Sequence, residues 1–251
     1  MLLADKTAIV YGGAGGIGRA VARAFAREGA TVHLAGRTLA KLDEVAQQIR
    51  AEGGSAETAE VDALDKQAVD AHADAVAATS GGIDIAMNVI SHGDVQGIPL
   101  VDMTLEEYER PVVNGVRTTF LTSTAVARHM MSKRSGVILF FGGDGDPLRG
   151  YNLGGLQVGF SAIEAFRRSL ANEVGPHGIR VITLRTGGIV ETIPEGIEGM
   201  EQAVSDIVNT TMLGRPATLD DVGNVAAFAA SDRARSMTAT AINISCGAIV
   251  D

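Results

Sequence analysis

The sequence predicts a doubly wound α/β domain, a parallel sheet sandwiched between two layers of helices. Three observations predict it. Short β-branched runs alternate with longer Ala-rich amphipathic segments from one end to the other, an order that demands right-handed strand–helix–strand crossovers. Strands such as IDIAMNVI read as continuous apolar runs rather than alternating ones, as strands covered on both faces should. The 31 glycines are dispersed among apolar segments, which marks tight turns and close backbone approaches rather than disorder.

The elements follow in order. A strand at 7–11 meets a glycine turn and a helix at 16–28, which Gly29 stops. Strands at 31–35, 55–61 and 83–89 alternate with helices at 39–52 and 66–79. A longer helix at 105–132 opens with Thr104 and Glu107 in capping-box spacing. Strands at 137–141, 179–184 and 241–244 alternate with helices at 159–174 and 219–230. Seven strands result. With no repeat, low-complexity segment or linker between them, a single domain spanning 1–251 is expected.

Bulk composition narrows the function classes. The net charge of −9 and the absence of any Lys/Arg block argue against nucleic acid as a partner. Purely apolar runs such as VILFF are far shorter than the ~20 residues of a membrane span, and the N-terminal apolar run is too short for a signal peptide. The single cysteine, Cys246, excludes an internal disulfide and fits a reducing compartment, where it reads as a small buried filler. A soluble cytoplasmic protein is the expectation.

The first βα turn carries the chemistry. In TAIVYGGAGGIGRAVARAFAREGA, Gly12, Gly16 and Gly18 satisfy G-x-x-x-G-x-G, while Gly13, Gly15 and Gly18 satisfy G-x-G-x-x-G. Together with Ala14 and Ile17 they form a turn whose backbone can approach a pyrophosphate at the positive end of the following helix. A dinucleotide enzyme that uses NAD(H) usually places an acid at the end of the second strand; here VHLAGRT has Gly36 there and Arg37 next to it. A guanidinium suits a 2′-phosphate, so NADP(H) is preferred over NAD(H), the alternative being a solvated arginine at the start of the next helix. In EVDALD, Asp62 beside Ala63 suits an adenine amine, or else Asp62 or Asp65 caps the next helix.

These segments are similar to the short-chain dehydrogenase/reductase family over nearly the full length. The resemblance rests on YGGAGGIG, VDALD, GGIDIAMN, VVNGVRTTFLTSTAVARHM, RRSLANEVGPHGIRV, LGRPATLDDVGNVAAFAASD and MTATAINISCG, in that order and spacing. It implies a single Rossmann-like domain with a seven-stranded parallel sheet, a nicotinamide cofactor, a small-molecule substrate and assembly into a homodimer or homotetramer. It also carries further cofactor contacts onto Asn88, Val89 and Ile90, where NVIS stands for the family's NNAG, and onto Thr186, Gly187 and Ile189, where Thr186-Gly187 replaces Pro-Gly.

The family's catalytic set is a Ser, a Tyr, a Lys four residues later, and an Asn. The Tyr hydroxyl protonates a developing alkoxide, the Lys lowers its pKa and the Ser holds the carbonyl. Anchored on RRSLANEVGPHGIRV, the Tyr falls on Leu156, the Lys on Phe160 and the Ser on Gly143. Using Tyr151 instead does not restore the pattern, since Gly155 lies four residues on and Ile138 thirteen before. Only Asn114 matches. Loss of acid–base help of roughly 10²–10⁴-fold, about 3–5 kcal/mol in barrier, should cripple the family's ordinary ketoreduction. Leu156 and Phe160 either extend the packed stripe of Ile163, Phe166, Leu170 and Val174 or form the wall of an apolar pocket.

Replacement groups come from the loops at the carboxyl ends of the central strands. SHGD supplies Ser91, His92 and Asp94; GGDGDPLRGYN supplies Asp144, Asp146, Arg149 and Tyr151. His92 titrates near neutral pH, and Tyr151 could give a proton beside a cation. Asn114, His92, Tyr151 and Asp144 are thus the catalytic candidates. His33, His72, His129 and His177 lack ligand spacing, so no metal is assigned. Glu191, Thr192 and IPEGIEGMEQAV are expected to form a lid. Three functions fit: an NADP(H)-dependent oxidoreductase on a carbonyl/alcohol pair or activated alkene with a rebuilt catalytic set, a non-redox isomerase, dehydratase or cyclase on the same scaffold, or an inactive partner subunit.

Overall fold

The computed structural model describes residues 1–143, 152–193 and 200–250. Seven parallel strands form one sheet: β1 (Thr7–Tyr11), β2 (Thr31–Gly36), β3 (Ser55–Glu60), β4 (Ile85–Asn88), β5 (Gly136–Gly142), β6 (Ile179–Arg185) and β7 (Thr240–Asn243). Their order is β3-β2-β1-β4-β5-β6-β7. The helices between them are α1 (Gly16–Arg27), α2 (Leu39–Ala51), α3 (Lys66–Ser80), α4 (Leu105–Lys133), α5 (Leu156–Val174), α6 (Met200–Thr210) and α7 (Leu219–Ala230). This is the Rossmann-like, three-layer arrangement expected from the alternation.

Each sheet face buries its own core. Leu42, Val45 and Ile49 of α2, Val21 and Phe25 of α1, and Val222 and Ala226 of α7 pack on one face. Val69, Ala73 and Val76 of α3, Leu121 and Met130 of α4, and Ile163 and Leu170 of α5 pack on the other. The strand direction of winding reverses between β1 and β4, where Tyr11 pairs with Asn88 in register. A crevice necessarily opens beyond the carboxyl ends of these two strands. Buried Asp84 fixes their amino ends: it accepts from the Thr7 amide at 2.9 Å and from Lys133 of α4 at 2.6 Å.

Most element boundaries fall within a residue or two of expectation. Two departures have physical causes. α5 starts at Leu156, three residues before the expected 159, because Gly159 is an interior contact glycine rather than a helix start. α6 was not expected, since its segment reads as part of a lid.

Candidate nucleotide cleft and active site

The glycine loop is built so that side chains cannot enter it. Gly12 has φ +86°, and a Cβ there would stand 2.6 Å from the Val89 carbonyl oxygen. A Cβ on Gly18 would stand 2.2 Å from the Gly12 oxygen. Gly13 instead makes room for Leu34, whose Cδ2 would lie 2.7 Å from an added Cβ, so its role is packing. Gly15 is the N-cap of α1; it offers no side-chain cap, and the first turn has no acid. The first amides of α1 therefore point their positive end out of the helix with no side-chain acceptor.

Two clefts meet at this loop and share Gly15, Val89, Ile90 and Ser91. The first, about 450 Å³, brings together Gly12, Ala14, Arg37, Asp62 and Ala63 with Asn114. Arg37 is exposed and makes no hydrogen bond or ion pair with the described residues; Lys41, one helical turn on, lines the same cleft. Lys41 was missed in the sequence, although its i+4 spacing from Arg37 was a usable signal. Asp65, not Asp62, caps α3, accepting from the Gln67 and Ala68 amides at 2.8 and 3.3 Å. Asp62 turns onto the Leu64 amide at 3.0 Å and stays at the cleft wall.

The second cleft, about 430 Å³, is lined by Gly16, Ile17, Gly18, Asn88 and His92 and by the apolar side chains of Phe140, Phe141, Leu156, Phe160 and Ile163. Asn88 engages both ends of its carboxamide internally: Nδ2 donates to Thr122 Oγ1 at 3.0 Å and Oδ1 accepts from the Ile90 amide at 3.1 Å. It thus holds the Val89–Ile90 backbone in place. Thr186, Gly187 and Ile189 line neither cleft. Thr186 is buried with its amide on the Gly142 oxygen, Gly187 packs against Ala248, and Ile189 lies in the core.

Leu156 and Phe160 are on the cleft side of α5, while Gly155 and Gly159 face α4. The Phe160 ring lies over Gly142 and Gly143, so that a Cβ on Gly143 would be 3.2 Å from Cε2. The same ring meets His92, centroids 5.6 Å apart. His92 is only 8% exposed, and its Nδ1 has no hydrogen-bond partner among the described residues. Its ring rests on Gly115 of α4, where an added Cβ would come within 3.0 Å of it. Burial lowers the His92 pKa below the ordinary 6.5, with Asp94 pulling weakly the other way. Asn114 does not face Phe160 through its amide; Nδ2 donates to the His92 carbonyl at 3.1 Å and so holds the loop that carries the imidazole.

Asp144, Asp146, Arg149 and Tyr151 lie outside the described residues. Of the expected lid, Glu191 is occupied elsewhere: its carboxylate accepts from the Leu219 amide at 2.8 Å and caps the opening of α7. Thr192 lines the second cleft, and residues 194–199 lie outside the described part. Among the described residues no group of three or more His, Cys, Asp or Glu could hold a metal ion.

Residues 12–248 match a family model described as enoyl-(acyl carrier protein) reductase. The chain belongs to the short-chain dehydrogenase/reductase family. Its relatives in this family of oxidoreductases include a "Probable galactose dehydrogenase" of Rhizobium meliloti (strain 1021), 30% identical over 249 residues, 98% of this chain and 95% of that one. Another is the L-rhamnose 1-dehydrogenase (NAD(P)(+)) of Azotobacter vinelandii, 30% identical over 262 residues, 100% of this chain and 99% of that one. A solved short-chain type dehydrogenase/reductase from Mycobacterium ulcerans superposes with a TM-score of 0.90 at 28% identity, covering 99% of this chain and 91% of that one.

Proposed function

We propose that this short-chain dehydrogenase/reductase is an NADP(H)-dependent oxidoreductase that interconverts a carbonyl and an alcohol, or reduces an activated alkene, without the family's Tyr and Lys. The supporting observation is the intact cradle: Gly12 and Gly18 leave no space for a side chain, and α1 begins with no competing cap. A dinucleotide fits these residues. Its pyrophosphate would lie on the amides of Gly15 to Gly18, its adenosine between Arg37 and Asp62, and its nicotinamide end toward Asn88, Val89 and Ile90. When bound it supplies or accepts the hydride. Arg37 and Lys41, both uncommitted to any described acid, give a 2′-phosphate two cations in one cleft.

The relatives named for galactose and rhamnose point to alcohol/carbonyl chemistry, whereas the apolar wall of Phe140, Phe141, Leu156, Phe160 and Ile163 favours a less polar substrate here. The chain works as one domain in the cytoplasm and self-associates as a homodimer or homotetramer. Val113, Val116 and Phe120 form an exposed apolar row on α4 beside exposed Val158 of α5, a face a second copy would cover.

Calorimetric titration with NADPH and NADH tests the reading. NADPH should bind at least about tenfold more tightly, and Arg37→Ala should erase that difference, about 1.4 kcal/mol. Binding without consumption of NADPH during turnover would transfer the site to an isomerase, dehydratase or cyclase. No binding of either nucleotide would leave a partner subunit as the function.

A further inference from the structure

The geometry points to His92 as the proton-transfer group of this site, acting as general base on a neutral, apolar secondary alcohol held against Phe160. This assignment rests on the oxidoreductase reading above and gives that reading its missing acid–base residue and its substrate class.

Most polar side chains around the second cleft hydrogen-bond to described residues, the Thr119 hydroxyl excepted. Asn88 is spent on Thr122 and Ile90. Thr192 donates to the Ile189 carbonyl at 2.7 Å, Ser91 Oγ accepts from the Gly93 amide at 3.3 Å, and Asp94 accepts from Gln96 at 2.6 Å. His92 differs. It is more than nine-tenths buried, lines the cleft, and has an Nδ1 without a hydrogen-bond partner among the described residues. A buried polar atom without a partner costs about 1–3 kcal/mol; of the two imidazoles with such an Nδ1, His72 and His92, only His92 lines one of the two clefts.

The surroundings fix the ring without fixing its proton. Gly115 supplies the space beneath it, Phe160 closes one side, and the Asn114 amide holds the main chain of His92 itself. No hydrogen bond from a described residue selects a tautomer at Nδ1. The charged groups near it are Asp94 on its own loop and Arg110 of α4, whose Cδ packs beside Gly93; α5 presents only the apolar Leu156, Phe160 and Ile163 to the cleft. Burial keeps the imidazole neutral at physiological pH, the form that accepts a proton.

The step balances with oxidised nicotinamide as the co-reactant. The carbinol C–H bond breaks with its electron pair passing to the nicotinamide, the O–H proton passes to the imidazole, and the C–O single bond becomes a carbonyl. The proton then leaves to solvent. The described lining holds no lysine or arginine, and its one carboxylate is Asp94, so anionic substrates are disfavoured.

The test uses the full-length protein with NADP+ and four probes: cyclohexanol and 1-phenylethanol as neutral apolar alcohols, galactose as a polar one, and 3-hydroxybutyrate as an anion. The apolar alcohols should be oxidised in preference, with kcat/KM rising with pH through a group below 6.5. His92→Asn should lower kcat by roughly 10²–10³-fold and remove that ionisation, with NADP+ affinity unchanged. His92→Gln, of different length, guards against loss of folding by the first variant. Independently of turnover, NMR should show the His92 imidazole titrating below 6.5 in the free protein and shifting when 1-phenylethanol joins the NADP+ complex. Turnover with an unchanged pH profile in both variants, or an imidazole that titrates normally and ignores the alcohol, overturns the assignment of His92 alone. Failure of the wild-type protein to bind NADP+ overturns the underlying reading instead.

Discussion

Phe160 and Gly143 are two residues on different elements that fit each other as one unit. A side chain at Gly143 brings its Cβ to 3.2 Å from one ring carbon of Phe160 and 3.4 Å from the next, and the same ring also contacts His92. Overpacking of this kind costs about 1–3 kcal/mol. Gly143→Ala should therefore destabilise the protein by about 1 kcal/mol in urea titration, and the same change in a Phe160→Ala background should cost nothing. A double-mutant cycle reads the difference, and additivity within about 0.3 kcal/mol would show that the two positions do not interact. The sequence made the replacements at 143, 156 and 160 visible, because spacing from RRSLANEVGPHGIRV locates them. Their contact was not visible: residues 17 apart meet only once β5 and α5 are placed. Nor was the burial of His92, since a polar loop residue is ordinarily solvated, and only the missing side chain at Gly115 admits its ring.

At the scale of elements, the α4–α5 pair decides where the apolar wall of the site stands. Gly155 and Gly159 lie four residues apart on the side of α5 that meets α4. A Cβ on Gly155 would sit 1.9 Å from the Tyr108 carbonyl oxygen, and one on Gly159 would sit 3.2 Å from that of Pro111. No rotamer relieves a backbone clash, so Gly155→Ala must push the first turn of α5 away from α4. A loss of about 2–3 kcal/mol is expected, together with faster amide exchange at residues 156–160, because the displaced turn carries Leu156 and Phe160. A thermal melt and exchange pattern like those of the wild type would mean that α5 does not depend on this close approach. The same contact explains a misread boundary. The sequence begins this helix at Gly159, whereas that glycine lies inside α5 and its use is interhelical. α6 escaped for a different reason: MEQAVSDIVNT has a helical period but follows the Gly- and Pro-containing IPEGIEG, which masks its start.

Across the whole molecule, the alternation of elements made the parallel sheet legible, whereas the strand order that opens the crevice between β1 and β4 is seen only in the structure. The same burial that hides polar groups inside this sheet makes its stability depend on pH. Three histidines on three elements, His33 of β2, His72 of α3 and His92 beyond β4, have pKa values lowered chiefly by burial. For His72, whose ring packs edge-on against buried Tyr11, the value falls from 6.5 to about 4. A lowered folded-state value means that the unfolded chain binds the proton first. The stabilisation is therefore complete above 6.5 and is lost as pH falls from 6.5 to about 4. For His72 alone that is on the order of 3 kcal/mol. Asp70, Asp221 and Glu164 also have lowered values, so they act in the same direction, but only in the carboxylate range. Relief of the net charge of −9 on acidification acts the opposite way, so the sign of the slope decides which effect dominates. Unfolding free energy from urea titrations should fall steadily between pH 6.5 and 4.5, and His72→Asn should flatten that slope while leaving the protein less stable at pH 7, where the packing on Tyr11 is lost. If the wild type and His72→Asn lose stability in parallel, the proton uptake belongs to other groups, and burial of this imidazole does not set the acid limit of the fold.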